Sequence, residues 1–155
     1  MTIPKRTAHL PAKTGTLGET VVAKWLEQQG WRLLDRQWRC RWGEIDLVMG
    51  YPSQAAASDW AAIAFVEVKT RRDRNWDSNG ALAITPQKQA KLWKTAQCYL
   101  GQHPSWAEVP CQFDVALVRC QTTFNSSSKM PNSILLGDTW FCLQEYIAHA
   151  FSLTD

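Results

Sequence analysis

The chain has 155 residues, 45% of them hydrophobic and 20% charged, with a net charge of +3. That is the size and balance of one globular domain, and it excludes disordered, collagen-like and disulfide-scaffold classes. No stretch approaches the roughly 18 consecutive apolar residues of a membrane helix, and the N-terminus lacks a signal-peptide apolar core, so a cytoplasmic protein with no membrane partner is expected.

A domain of this length buries roughly 68–70% of its unfolded surface, so it needs neither disulfides nor a structural metal. Five cysteines without a C-x-x-C pair agree with that. Charge is unevenly spread. Residues 1–94 hold 15 Lys or Arg against 9 Asp or Glu, whereas residues 95–155 hold 2 against 5. A basic N-terminal part points to an anionic partner, with nucleic acid first in line.

Residues 1–13, with Pro4, Pro11, Lys5, Arg6 and Lys13, read as a flexible basic arm ahead of a single domain over 14–155. From Thr16 to Gln29 the pattern is helical. Leu17, Val21 and Trp25 recur every four residues beside Val22 and Leu26, and Gly30 supplies the stop. A short run, Trp31 to Leu34, leads through a turn-like stretch to a strand over Glu44–Met49, and residues 51–60 form a loop. Ala61–Thr70, apolar and rich in β-branched residues, is short enough for a buried strand. A basic loop, Arg71–Gly80, precedes a second helix from Thr85-Pro86 to Leu100, with Thr as cap and Pro in the first turn. Phe113–Cys120 is a further strand, 121–133 a polar loop, and Ile134–Tyr146 one or two edge strands. The predicted order is α-β-β-β-α-β-β, a mixed sheet flanked by helices in the α/β class.

Side chains alternate faces along a strand, so Glu67 and Lys69 point one way and Val66 and Val68 the other. The same alternation pairs Glu44 with Asp46, opposite Ile45 and Leu47. Two otherwise apolar strands thus each carry charge that, once buried, needs a partner or a metal. On neighbouring strands about 4.8 Å apart, Asp46 and Glu67 can share one Mg²⁺ at ligand distances of about 2.1 Å. Without a cation, two carboxylates about 4 Å apart repel by about 4 kcal/mol at an effective dielectric of about 20.

The segments Gly43-Glu44-Ile45-Asp46-Leu47 and Phe65-Val66-Glu67-Val68-Lys69 resemble the PD-(D/E)xK nuclease core. More narrowly they resemble the YraN-like family of predicted endonucleases, akin to Holliday-junction resolvases. Gly18-Glu19 on the first helix, Phe113-Asp114-Val115 and the Ala150-Phe151 ending also match, so the resemblance spans about Gly15 to Phe151. E-x-K alone is a weak signal; the combination at this spacing is specific. The resemblance implies a restriction-endonuclease-like fold and a metal-dependent endonuclease hydrolysing phosphodiester bonds in DNA, with branched or flapped structures as candidate substrates. It further implies Mg²⁺ or Mn²⁺ held by Asp46, Glu67 and the Val68 carbonyl, with Lys69 orienting or deprotonating the attacking water. Glu19 would lean in from the helix and Glu44 would stand beside Asp46. Ile45 replaces the superfamily's usual proline, which removes no ligand. A homodimer is expected by analogy alone.

Plainer explanations exist for each residue. Thr16-Leu17-Gly18-Glu19 is also a capping box, with Glu19 closing the helix start. Glu67 and Lys69 fit a solvated strand face, Glu44 a strand edge, and Asp114 a structural or substrate-facing role. His9, His103 and His149 lie near no motif and read as surface residues. Among the nine tryptophans, Trp31, Trp38 and Trp42 interleave with Arg32, Arg36, Arg39 and Arg41, a pattern for stacking on unpaired bases or for core packing. Lys88, Lys91 and Lys94 form a stripe on the second helix, and Arg71, Arg72 and Arg74 follow Lys69 directly. Next to a phosphate-cleaving centre, these cations with Arg39 and Arg41 are candidate DNA-backbone contacts. The rival to a nuclease is a nucleic-acid-binding module without catalysis, and a tryptophan-rich scaffold comes third.

Overall fold

The structure, a computed structural model, describes residues 10–55, 59–72, 84–121 and 132–152. Helix α1 (Leu10–Gln28) leads into strands β1 (Arg32–Cys40), β2 (Gly43–Pro52) and β3 (Trp60–Arg72). Helix α2 (Pro86–Gly101) and a 3-10 turn at Pro104–Trp106 follow, then β4 (Cys111–Gln121), β5 (Ser133–Leu136) and β6 (Thr139–Phe151). All six strands form one sheet in the order β1-β2-β3-β4-β6-β5. Only β3 and β4 run parallel, and α2 is the crossover that a parallel pair requires. The α/β class and mixed sheet are as expected.

The helices lie on opposite faces. Val21, Val22 and Leu26 of α1 pack on Leu47, Met49, Ala64, Val66, Ala116 and Val118. Leu92, Ala96 and Tyr99 of α2 pack on Ile45, Val48, Ile63, Phe65, Val115 and Leu117. That is why β3 and β4 read as unbroken apolar runs: their successive residues face two cores rather than one core and water. All five cysteines are free, and no described helix is long and apolar enough to cross a membrane.

Four elements differ from expectation. Helix α1 begins at Leu10, so it takes in the end of the expected arm, and Glu19 sits well inside the helix. The capping-box explanation of Glu19 therefore falls. The turn-like stretch after Leu34 is part of β1, whose polar composition suits an edge strand with one face in water. The loop at 51–60 is shorter, because Tyr51 pairs with Ala62 and Pro52 with Trp60. Gly50 makes this possible: a Cβ there would come within 2.5 Å of the Trp60 ring. Finally, the segment 134–146 is two strands joined by Gly137-Asp138, with Gly137 at φ 66, as a two-residue hairpin turn demands. Of the two, β5 is the edge and β6 lies inside the sheet.

Candidate functional site

Strands β2 and β3 part beyond Leu47. The β2–β3 register runs from Pro52 opposite Trp60 to Leu47 opposite Val66 and ends there. On the other side of β2, pairing passes from Arg36–Leu47 to Trp38–Ile45, leaving Gln37, at φ 48, across from Asp46. Ile45 and Leu47 consequently join different core clusters instead of sharing a face, as plain alternation required. Asp46 stands at this dislocation. Its Oδ2 accepts the Val68 N–H at 2.8 Å, so a side chain does there what the strand ladder no longer does. The Val68 carbonyl projects to the same side as that N–H, as backbone groups of one strand residue do.

Asp46, Glu44 and Glu67 line one cleft of about 340 Å³, walled by Lys88, Lys91, Leu92 and Thr95 of α2, by Trp42 of the β1–β2 turn and by Gly43 at the start of β2. The carboxylates disturb one another. Burial first, and then the Glu67 charge, push the Asp46 carboxyl up to about 8; Glu19 and Glu44 add smaller pushes against the pull of the Val68 N–H. Glu67 has a partner of its own, since Lys88 Nζ donates to its Oε1 at 2.5 Å. The amine of Lys69, two residues along β3 from Glu67, is held below the usual lysine range by burial and then by the Lys88 charge, with Glu67 and Asp46 opposing.

Glu19 approaches from the α1 face. Gly18 lets it: a Cβ at that position would fall 2.1 Å from Thr70 Oγ1, so only glycine allows α1 to lie so close to β3. Glu19 is buried, accepts a hydrogen bond from Gln37 Nε2 at 3.5 Å and lies 3.7 Å from Arg36 Nη2. Burial raises its carboxyl above the ordinary value, with Gln37 and Arg36 opposing and Glu44 adding to it. Its charge is felt at Asp46.

The expected basic residues divide into groups. Lys88 and Lys91 line the cleft. Arg39 is tied to Glu44 at 2.8 Å, while Arg41 and Lys94 lie 4.6 and 4.8 Å from the centre of the Trp42 ring. Arg71 and Arg72 are exposed at the end of β3, and Arg74 falls outside the described residues. Asp114 belongs elsewhere. It is buried on the α1 side, with Gln112, Tyr146 and the His149 N–H as donors, so its role is structural. His103 is not a free surface group, for it stacks on Trp106 at 4.1 Å; His149 is exposed, and His9 lies outside the described residues.

Two participants were missed. Gln37 gives no signal in the sequence, because its part depends on a left-handed backbone opposite Asp46. Lys88 was expected on phosphate; its bond to Glu67 depends on how α2 crosses β3, which no local pattern specifies.

The carboxylates and the lysine at the parting of β2 and β3 define an α/β protein with an acidic cleft under a basic helix. The chain belongs to the family described as Uncharacterised protein family UPF0102, whose model matches residues 18–118. That span runs from Gly18 to Val118 and so contains every residue of the cleft. A UPF0102 protein of Acaryochloris marina is 49% identical to it, over 91% of each chain. UPF0102 proteins of Trichodesmium erythraeum and Synechocystis are each 42% identical, covering 89% and 88% of this chain and 88% and 96% of their own.

Proposed function

We propose that this protein is a metal-dependent nuclease of the PD-(D/E)xK type, acting on DNA. The observation that carries the reading is the meeting of Asp46 and Glu67 in one cleft, where burial and the second carboxylate push the Asp46 carboxyl up to about 8 and, among the described residues, only the Val68 N–H donates to it. Among the described residues no three His, Cys, Asp or Glu side chains form a metal cage. One or two carboxylates are nevertheless what Mg²⁺ commonly takes from a protein, leaving its other positions to further oxygens, water and substrate phosphate. Asp46, Glu67 and the Val68 carbonyl fit that donor set, and Mn²⁺ suits the same oxygens.

When bound, the cation would lower the pKa of a coordinated water and offset charge on the phosphate. The chain's own residues do the rest. Lys69, with its depressed proton affinity, is suited to accept a proton from the attacking water or to orient it. Lys91, at the cleft wall, attracts the DNA backbone, and Lys88 can exchange Glu67 for phosphate once Glu67 has a stronger cation. Arg71 and Arg72 extend the positive surface beyond Lys69.

The second reading, a binding module without catalysis, draws support from that same Lys88–Glu67 pair, in which an ammonium already neutralises one ligand. Cleavage of linear, nicked, flapped and four-way DNA with Mg²⁺ or Mn²⁺ separates the two. The nuclease reading expects cleavage that falls at least a hundredfold in Asp46→Asn and Lys69→Ala. Without metal it also expects Asp46→Asn to bind DNA as well as wild type at neutral pH and better above about pH 8, where the wild-type carboxyl is charged, and Lys69→Ala to bind slightly less well. Binding without cutting any substrate would hand the case to the module.

A further inference from the structure

We propose that Trp42 is a stacking platform for an unpaired nucleobase, so that the cleft selects DNA whose bases are exposed beside the phosphate to be cut. This rests on the nuclease reading and adds the substrate class. Trp25, Trp31, Trp38, Trp60 and Trp106 each set a ring against another aromatic, Trp31 on Tyr51 and Trp38 on Tyr99 among them. Core packing accounts for those rings. Trp42 is different. It sits in the two-residue turn between β1 and β2, is 41% exposed, and lines the cleft that holds Asp46 and Glu67. Its neighbours are the two cations Arg41 and Lys94. The Trp42 backbone N–H donates to Cys40 Sγ at 3.4 Å, which holds the turn.

A flat apolar ring, partly open to solvent and with cations over its face, matches a ligand that joins a flat π-system to an anion. An unpaired nucleotide is such a ligand: its base takes the ring face, and its phosphates take Arg41, Lys94 and the adjoining Lys91. Cation–π contacts at an exposed ring are weaker than a stacked base, so the cations yield the face and keep their charge for the backbone. A base inside a duplex is already stacked on both sides and can reach Trp42 only by unpairing. The specificity is therefore for strand state and not for sequence.

The test is equilibrium binding in EDTA, by anisotropy, of wild type, Trp42→Ala and Trp42→Phe to a single strand, a gapped duplex and a blunt duplex. Loss of one base stack predicts roughly 5- to 150-fold weaker binding of the single strand and the gap by Trp42→Ala. Blunt-duplex binding should change less than about threefold, and Trp42→Phe, which keeps a ring, should recover most of the loss. Wild-type binding that Trp42→Ala leaves unchanged, or weakens equally on all three DNAs, overturns this proposal and leaves the nuclease reading standing. Failure of wild type to bind any of the three overturns this proposal too, and cleavage of flapped or four-way DNA with metal then decides the nuclease reading.

Discussion

Two aspartates are set into the sheet, one on each side of its middle, and they are provided for very differently. Asp114 on β4 is almost wholly buried, yet its carboxylate receives both contacts of Gln112 Nε2 at 3.0 Å, the Tyr146 hydroxyl at 2.5 Å and the His149 N–H at 3.0 Å. The β4–β6 register breaks between Phe113 and Val115, and His149 takes a φ of 51 in the strand opposite, so the backbone bends to serve the carboxylate. Asp46 also faces a break in the ladder and a left-handed residue, Gln37, but gains only the Val68 N–H and has carboxylates for neighbours. A buried charge with a full set of donors is part of the scaffold. One with a single donor and carboxylates for neighbours is the basis of the proposal that Asp46 holds a cation.

The largest expected effect that could break this contrast is at Asp114. Replacing it by Ala takes the acceptor from the half-buried Tyr146 hydroxyl and from the His149 N–H and should cost about 2–5 kcal/mol of unfolding free energy in urea. Asp46→Asn, assayed without metal at pH 8, should cost nothing or stabilise, because it removes the charge that its site disfavours. If both substitutions destabilise alike, the distinction between the two aspartates is lost.

Next comes the pH dependence of the metal-free protein. The folded Asp46 carboxyl keeps its proton to about pH 8, whereas the unfolded one releases it near the ordinary value of 3.8. Unfolding between those limits therefore releases a proton, and stability should fall as pH rises, by about 1 kcal/mol per pH unit. Asp46→Asn should flatten that slope. Mg²⁺ at about 100 times its Kd should restore about 2.7 kcal/mol to wild type at pH 8 and much less to Asp46→Asn. Thermal melts across pH 5–8, with and without Mg²⁺, measure all three quantities. A slope unchanged in the variant would assign the titration to other groups.

A smaller effect sharpens the comparison at Gly18. Alanine there brings a Cβ against Thr70 Oγ1 and should cost about 1–3 kcal/mol, less the gain in helix propensity of up to about 1 kcal/mol. Thr70→Ala on the same chain should return most of it, because the two sites share one contact. The same variant moves Glu19, so it should also shift the pH profile assigned to Asp46. Smallest is Arg39→Ala. Its ion pair with Glu44 lies in water, and melting should change within the scatter of exposed pairs.

Local pattern was enough for much of this protein. The period of Leu17, Val21 and Trp25, the Thr85-Pro86 start of α2 and the apolar runs of β3 and β4 are all local signals, because helix and strand periods act over a few residues. Gly43 to Leu47 and Phe65 to Lys69 were legible for the same reason, so Asp46, Glu67 and Lys69 could be picked out as a group and the structure brings Asp46 and Glu67 to one cleft. Alternation failed at Asp46 itself, where Ile45 and Leu47 go to different cores, because a strand's period holds only while its ladder does. Tertiary structure decided what depends on distant segments meeting. The crossing of α2 over β3 joins Lys88 to Glu67, and the helix α1 contact through Gly18 brings Glu19 toward Asp46. It decided too that Trp42 is left open beside the cleft, since Trp31 and Trp38 find aromatic partners far along the chain, whereas Trp42, in a turn, has the cations Arg41 and Lys94 over its ring. Exposure is a property of what packs against a residue, and nothing within a few positions of Trp42 specifies that.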